Sequence, residues 1–307
     1  MTWDADGSFP EGNPYPKVPG DSVYVLQSQF LSPLAPLLSQ FAPGVADNGF
    51  SHVSHFVFGD IETPNFRATP DNVWEIDPVA GTTSARGKPE FHEKVPFLLI
   101  VPKTTAQHKP PFPVTIYAHA TGTSRIESLL LADRLAEAGI AVFAVDAVGH
   151  GPILTDPFKM LAGDYLPIAR AALANFLFPP DKRPADSLSD MDALKEMMKN
   201  GFIQELAVRG RATDDNGDCV KEGGEAYYAP DAFRLRDAMR QTTLDNIVAV
   251  RVLHALEQAK VPAKPTFDAH TATQAQLWPH LMAGDFDLDG VLDVGGAVGV
   301  DGKPQPY

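Results

Sequence analysis

Two acidic loops in the second half of the chain carry oxygen-bearing side chains at the spacing of calcium ligands. The second loop, residues 285–293, reads DFDLDGVLD and has Gly290 at the sixth position, where a calcium loop turns sharply. Alternate side chains converge on one cation because the turn brings the first, third and fifth positions to the same side. The candidate ligands, at positions 1, 3, 5 and 9, are Asp285, Asp287, Asp289 and Asp293. The twelfth position is Gly296, so a bidentate carboxylate must come from elsewhere.

The first loop, residues 214–225, has oxygen side chains at positions 1, 3, 5, 9 and 12. These candidate ligands are Asp214, Asn216, Asp218, Glu222 and Glu225. Position 6 is Cys219 instead of glycine, which makes the sharp turn costlier. We interpret the loops as one or two structural calcium sites, and the alternative for each is a solvated acidic turn. His52 and His55 form an isolated H-x-x-H pair, which we interpret as surface or core histidines and not as a metal site.

A second group of chemically capable residues follows two predicted strands. The apolar runs Val114–Ala118 and Ile140–Val145 each lead into a short polar turn. Because ligands of open α/β sheets bind at the carboxyl ends of parallel strands, we expect these turns to form one site. The residues concerned are His119, Ala120, Thr121, Asp146 and His150.

The elements that must position these turns are three strands and one helix within residues 95–152. The two runs named above and Val95–Val101 are rich in β-branched and aromatic residues. Between the second and third runs, Ser124 and Glu127 have the spacing of a capping box, and Gly139 ends the helix. The helical period predicts that the face toward the sheet carries Leu131, Ala132, Leu135 and Ala138, while Asp133, Arg134 and Glu137 point outward. Strand, helix and strand with short links predict a right-handed βαβ unit.

The two strand-end turns resemble those of the α/β-hydrolase family, in particular its bacterial lipases and esterases. In that family a strand ending in His-Gly supplies an oxyanion-hole amide, and the next strand often ends in Asp-x-x-Gly-His-Gly. Asp146, Gly149, His150 and Gly151 match the second turn, whereas Ala120 stands where the first usually has glycine. The resemblance runs from about Gly49 to the end of the chain. It implies an α/β fold: an incomplete, mostly parallel hydrolase-type sheet with a lid-like helical insertion.

The sequence lacks the nucleophile motif that this resemblance requires. Hydrolases of this family place their serine in G-x-S-x-G, followed by the acid and the histidine, and no such motif occurs here. By resemblance the nucleophile strand is due just after Tyr307. We therefore expect the amino-terminal part of a serine carboxyl-ester hydrolase, inactive alone, with Ala120 and Thr121 near the oxyanion hole. The expected partners are a second chain carrying the rest of the fold and a small-molecule or lipid ester.

The alternative is a non-catalytic calcium-binding or structural module on the same scaffold. It predicts that the chain folds alone and shows no esterase activity, even with calcium.

Composition limits the remaining function classes. With 44% hydrophobic and 21% charged residues, the chain of 307 residues has the composition of a soluble globular protein. The net charge of −14 argues against nucleic acid or an anionic membrane as the main partner. Residues 1–20 lack the regions of a signal peptide, and no apolar run is long enough to span a membrane. The compartment is therefore undetermined, although the family resemblance implies a secreted or periplasmic protein.

The chain divides into four predicted segments. Residues 1–48 form an irregular lead-in, and residues 49–152 form the first part of the hydrolase sheet. Residues 153–230 form a helical insertion with the first acidic loop. Residues 231–307 contain a long helix and the second acidic loop, ahead of the expected nucleophile strand.

Overall fold

The computed structural model describes residues 23–32, 49–66, 92–151, 187–199, 210–212, 214, 223–228, 232–269, 271–295, 297–298 and 304–305. Residues 1–22 of the predicted lead-in and most of the predicted insertion lie outside the described residues. The same holds for three candidate ligands of the first acidic loop: Asn216, Asp218 and Glu222.

A five-stranded mixed sheet forms the centre of the described fold, which is α/β. Its strands are β1 (Val23–Gln27), β2 (Val53–Pro64), β3 (His92–Pro102), β4 (Val114–Tyr117) and β5 (Ala141–Val145). They lie in the order β1-β2-β3-β5-β4. The described strands correct the prediction of a mostly parallel sheet, because only β4 and β5 form a parallel pair. The other three pairs are antiparallel because β3 runs opposite to both of its neighbours and β1 runs opposite to β2.

Strand β1 lies within the segment that the sequence predicts as irregular lead-in. Its residues, VYVLQ, are mostly β-branched or apolar, and the first four are buried. They pair antiparallel with β2, from Val23 opposite Gly59 to Gln27 opposite His55. The apolar side chains therefore extend the sheet by one strand at its amino-terminal edge.

The helices of the described residues are α1 (Ser28–Leu31), α2 (Leu129–Glu137), α3 (Asp190–Lys199), α4 (Glu225–Tyr228), α5 (Ala232–Gln258) and α6 (Gln274–Leu281). A 3₁₀ turn, Arg125–Ser128, leads directly into α2. A two-stranded ladder, β6 (Ala297–Val298) with β7 (Pro304–Gln305), lies near the end of the chain. Among the described residues, no helix combines the length and apolarity that crossing a membrane requires.

Helices cover both faces of the sheet. One face packs with α5, α6 and the second acidic loop into a single buried cluster that includes Val57, Leu99, Phe143, Val252 and Phe286. The alternate strand residues point to the opposite face, since successive strand side chains alternate. Helix α2 contacts β2, β3 and β5 and covers that second face. The βαβ unit predicted from the sequence is thus present as β4, α2 and β5.

Helix α2 is rotated relative to the sequence prediction. Its buried residues are Leu129, Ala132, Asp133 and Ala136, whereas Leu131 is 43% exposed. The reason is polar: the Asp133 carboxylate accepts the His52 backbone N–H at 2.6 Å and lies 3.1 Å from the Ser51 hydroxyl. Burial of this anchored carboxylate turns the helix so that Leu131 faces outward. Apolar periodicity alone cannot identify such an anchor.

Strand β4 lies at the edge of the sheet with its side chains half-buried. Along Val114–Tyr117 it pairs, in the described part of the chain, only with β5. Just before β4, Phe112 forms a parallel bridge to Val294 on the side away from β5. Phe112 N–H donates to Asp293 O at 2.8 Å, and Pro113 O accepts from Ala141 on the opposite side. The segment after the second acidic loop therefore runs parallel to the start of β4, along its open edge.

Candidate functional site

The structure brings the two predicted strand-end turns together at the carboxyl ends of β4 and β5. The backbone N–H of Ala147 donates to His119 Nε2 at 2.9 Å, and the His119 and His150 ring centroids are 5.1 Å apart. This proximity follows from the parallel pairing of β4 and β5, which places both carboxyl ends at one edge.

His119 is held in one tautomer by its neighbours. Because Nε2 accepts the Ala147 N–H, the proton lies on Nδ1, which donates to Ala120 O at 2.9 Å. The ring is half-buried. In this arrangement both ring nitrogens make hydrogen bonds within the turns, so His119 fixes the relative position of β4 and β5.

Glu127 binds the backbone N–H of Ala120, the residue that stands where the resembling family has the glycine of its oxyanion-hole turn. Its Oε2 accepts the Ala120 N–H at 2.8 Å and lies 2.8 Å from the Thr123 hydroxyl. The predicted capping box is therefore not formed by Glu127. Ser124 instead caps the 3₁₀ turn, accepting the Ile126 N–H at 3.3 Å. Ala120 and Thr121 are both exposed to solvent at this edge.

Asp146 is fully buried and pairs with a partner that sequence reasoning missed. One carboxylate oxygen accepts the Arg125 backbone N–H at 2.7 Å, and the other contacts the Arg125 guanidinium. Arg125 is itself only 1% exposed. No sequence signal marks this arginine, because it stands at the start of an otherwise ordinary amphipathic segment. Asp146 thereby ties the end of β5 to the 3₁₀ turn.

His150 is buried beneath the second turn. Its Nδ1 donates to Val148 O at 2.9 Å, and the Tyr227 ring packs edge-on with centroids 4.7 Å apart. Its Nε2 has no hydrogen-bond partner among the described residues. Burial lowers the pKa of His150 below its ordinary value, which keeps the imidazole neutral.

Two short segments close over the turns from outside the sheet. Gly224 N–H donates to Gly149 O at 2.8 Å, and Arg211 N–H donates to His150 O at 2.6 Å. A Cβ on Gly224 would lie 2.9 Å from both Gly122 N and His150 Nε2. Residues 223–228 therefore reach the turns only because a glycine stands at the contact.

A buried arginine joins these segments to the sheet and to α5. Arg211 donates to both carboxylate oxygens of Glu93 at 3.0 Å and to Asp245 at 2.6 Å. Its NH1 group also donates to Asp146 O at 3.1 Å. Although burial opposes it, the Asp245 and Glu93 charges raise the pKa of Arg211. The network thus keeps a charged guanidinium behind the second turn.

The second acidic loop brings three of its carboxylates close together. Asp285 Oδ2 accepts the Gly290 N–H at 3.1 Å, and Asp289 Oδ1 accepts the Val291 N–H at 2.7 Å. Oxygen atoms of Asp285, Asp287 and Asp289 all lie within 4.8 Å of one another. His280 Nδ1 lies 2.6 Å from Asp285 Oδ2, while Asp285 Oδ1 is buried without a hydrogen-bond partner in the described part of the chain. A group of oxygens this close together could hold a cation.

His55 belongs to a second group of possible ligands, which shares Asp287 with the first and which no local pattern in the sequence indicates. One ring nitrogen of His55 and oxygens of Asp287 and Asp293 lie within 4.8 Å of one another, and Nε2 is 3.6 Å from Asp293 Oδ2. Residues 55 and 293 come together because odd-numbered residues of β2 face the side of the sheet that the loop covers. No local pattern in the sequence links them, because the two residues are far apart along the chain.

The electrostatics of this group reflect burial and mutual repulsion of like charges. Although Asp287 as a whole residue is exposed, partial burial of its carboxylate, together with the Asp289 and Asp285 charges, raises its pKa to about 6. Burial and the neighbouring carboxylates, Asp287 foremost, also raise the pKa of Asp293 well above its usual range. Burial lowers the pKa of His55 to about 3, so the imidazole is neutral. A bound cation would relieve the repulsion between these carboxylates.

The first acidic loop is described only at its two ends. Asp214 lies in an irregular stretch, and Glu225 begins helix α4. Glu225 is buried at the edge where residues 223–228 meet the strand-end turns. The prediction of a calcium site in this loop remains a prediction.

Two serines among the described residues lie beside a histidine and a carboxylate. Ser51 Oγ lies 3.2 Å from His52 Nδ1 and 3.1 Å from Asp133, but Asp133 contacts the same ring nitrogen. Ser54 Oγ lies 3.2 Å from His55 Nδ1, and Asp293 lies 3.6 Å from His55 Nε2, beyond hydrogen-bond range. Neither group has the serine and the carboxylate hydrogen-bonded to opposite nitrogens, as a catalytic triad requires. Comparisons with protein-family models, curated proteins and solved structures found no match for the chain.

Proposed function

We propose that the chain is the amino-terminal part of a serine carboxyl-ester hydrolase of the lipase or esterase type. The observation that carries the proposal is the parallel β4–β5 pair, whose two polar turns meet at the carboxyl ends of the strands. Ligands bind at this edge in open α/β sheets. In this proposal the serine, acid and histidine of the triad lie outside the 307 residues, and the chain alone is inactive.

The open edge of β4 supports the same proposal. A nucleophile strand of a hydrolase sheet would lie beside β4, parallel to it. The chain already runs in that direction along the edge, through the bridge between Phe112 and Val294. The strand could belong to a continuation of the same gene product or to a second chain. The substrate would be a small-molecule or lipid ester.

The oxyanion hole would require a rearrangement of the first turn. Glu127 now accepts the Ala120 N–H, and a carboxylate there would repel a developing oxyanion. We therefore propose that the missing strand displaces Glu127 or that the Thr121 amide is the donor. Thr121 is exposed at the same edge and close to Gly224.

The test compares this chain with the product of its gene extended through the following coding sequence. We expect the extended product to hydrolyse p-nitrophenyl esters and to react with a fluorophosphonate serine probe, and the 307-residue chain to do neither. An extended product without esterase activity would contradict the proposal. Probe labelling of Ser51 or Ser54 in the short chain would also contradict it; Ser51→Ala and Ser54→Ala serve as matched variants.

The second candidate function is a calcium-binding structural module on the same scaffold. It is favoured by the second acidic loop, whose Asp285 Oδ1 is buried without a hydrogen-bond partner among the described residues. Removing such an oxygen from water is costly unless a cation or donor contacts it. Calcium would be held by Asp285, Asp287 and Asp289 together with a backbone carbonyl.

Calcium titration of the chelator-treated chain by calorimetry tests this candidate. We expect heat of binding and a higher melting temperature, both lost in Asp285→Asn and Asp287→Asn, with Asp192→Asn as an exposed control. Absence of both signals in the unmodified chain would exclude the calcium site.

A further inference from the structure

The strongest unassigned feature is a buried histidine whose outer nitrogen faces the acidic loop. His55 is 1% exposed, and its Nε2 has no hydrogen-bond partner among the described residues. The Ser54 hydroxyl lies 3.2 Å from Nδ1. With Nδ1 in contact with a hydroxyl, Nε2 is the nitrogen that remains to bind something.

The His55 imidazole lies close to two carboxylates of the loop, and Nε2 is the nitrogen that faces Asp293. It is 3.6 Å from Asp293 Oδ2, too long for a hydrogen bond. Two ligands each about 2.1 Å from a tetrahedral zinc ion lie about 3.4 Å apart, so the separation suits a shared ion. An oxygen of Asp287 completes a group of three ligand atoms within 4.8 Å.

We propose that His55, Asp287 and Asp293 form a binding site for a divalent transition-metal ion, with zinc as the representative ion. Calcium is bound almost wholly by oxygen, whereas imidazole nitrogen suits zinc and its first-row neighbours. Asp285 and Asp289 belong to the other group of possible ligands, and Asp287 is shared by both groups. The inference rests on the second candidate function only in taking the loop as cation-binding.

The contacts around these residues are those that support metal ligands. The Ser54 hydroxyl contacts the far nitrogen of His55, and Asp293 Oδ2 accepts the Phe286 N–H at 2.7 Å. Such contacts to the non-ligating atoms orient the ligands of metal sites. Asp293 directly precedes Val294, which bridges to Phe112. The ion would therefore fasten β2 to the segment that reaches the open edge of β4.

The test uses the 307-residue chain after chelator treatment, titrated separately with Zn²⁺ and Ca²⁺ by calorimetry. We expect His55→Gln to weaken zinc binding by at least about 100-fold, beyond the 10- to 100-fold typical of supporting contacts. Calcium binding should change by less than about threefold, because His55 is not a ligand for an oxygen-seeking ion. His92→Gln is the matched control: it removes another buried histidine, on β3, with no carboxylate of the loop beside it.

Two further measurements distinguish the loss of a metal ligand from a change in the conformation of the loop. Asp289→Asn should weaken calcium binding and leave zinc binding intact, the reverse of His55→Gln. Cobalt bound to the chelator-treated chain should show visible absorption that His55→Gln alters and His92→Gln does not. Circular dichroism checks that each variant is folded, and Asp293→Asn replaces His55→Gln should that variant fail to fold.

Equal zinc affinity in His55→Gln and the unmodified chain would overturn the inference while leaving the calcium candidate standing. Loss of both zinc and calcium binding in a folded His55→Gln would also overturn it, because His55 would then act on loop shape. Absence of binding by either ion in the unmodified chain would exclude both proposals.

Discussion

At the scale of single residues, two buried charged groups behind the strand-end turns are matched by opposite charges. Asp146 pairs with Arg125, and Arg211 pairs with Asp245 and Glu93. A buried pair is not strongly stabilising in itself, but the loss of one partner leaves an uncompensated charge in the interior. These pairs therefore specify which segments meet behind the strand-end turns.

Replacing Asp146 with Asn tests this role. We expect a loss of about 3 kcal/mol in the free energy of unfolding, because the Arg125 guanidinium remains buried without its carboxylate. The exposed pair of Asp192 and Lys195 provides the control, and Asp192→Asn should change the free energy of unfolding much less than Asp146→Asn does. Urea denaturation measures both; equal losses would show that burial does not set the cost.

His150 predicts a pH dependence of stability. Burial lowers its pKa in the folded chain, so below the ordinary pKa of about 6.5 the unfolded state binds more protons. The part of the stability that His150 contributes therefore falls as the pH drops below about 6.5 toward the lowered pKa, with a slope of at most about 1.4 kcal/mol per pH unit. The lowered pKa of His55 acts in the same direction, and the raised pKa values of Asp287 and Asp293 act in the opposite direction.

Urea denaturation at several pH values measures this slope. The His150→Gln variant should lose part of it, whereas His254→Gln, on the accessible side of α5, should keep it. An identical slope in the unmodified chain and His150→Gln would contradict the assignment to His150.

At the scale of elements, close backbone approach decides how residues 223–228 pack on the strand-end turns. Gly224 has φ +86°, and a Cβ at this position would lie 2.9 Å from Gly122 N and from His150 Nε2. Any side chain there would therefore strain the backbone and clash with these two atoms. The carboxyl ends of β4 and β5 are thus covered by a segment that depends on one glycine.

Gly224→Ala should loosen that cover. We expect a loss of about 3 kcal/mol or local opening, seen as faster proteolysis and hydrogen exchange around residues 223–228. Gly49→Ala measures the cost of the left-handed backbone alone, because Gly49 has φ +68° and a Cβ there would have no atom within 4 Å. This variant should lose about 1–2 kcal/mol in the free energy of unfolding. Equal losses in the two variants would show that the close contact with Gly122 and His150 does not add to the cost of a side chain at position 224.

At the scale of the whole molecule, the described part of the sheet is covered on both faces, and β4 pairs there with a strand on one side only. An unpaired strand edge is a template for another strand, and natural edges are usually protected by charge or by a covering segment. The open edge agrees with the proposed hydrolase, in which a further strand pairs with β4. The net charge of −14 opposes non-specific association, so pairing at this edge should be selective.

We expect the isolated chain to associate through β4 in a concentration-dependent way. Thr115→Lys, in the middle of the strand, should reduce association, because a charge on an edge strand disfavours pairing with another chain. Thr105→Lys, in the exposed loop before β4, is the control. Sedimentation equilibrium measures both, and a monomer at all concentrations in the unmodified chain would contradict an open edge.

Much of the fold was predictable because it is encoded locally. The runs Val95–Val101, Val114–Ala118 and Ile140–Val145 became β3, β4 and β5, with bounds shifted by a few residues at most. Gly139 ends α2 with φ +73°, as expected of a helix-terminating glycine. In the second acidic loop, three of the four carboxylates named from the spacing lie together: Asp285, Asp287 and Asp289. Each of these features depends on residues within a few positions of one another.

The sequence alone thus determined the βαβ unit, its polar turns and one candidate cation loop, since periodicity and turn chemistry act over short stretches. Tertiary structure decided the rest: Asp133 buried instead of Leu131, Glu127 on Ala120 N–H, and His55 beside Asp293. In the first and third cases the partners lie far apart in the chain. Only the packing of a sheet between two helical layers brings them within contact, and no local pattern carries that information.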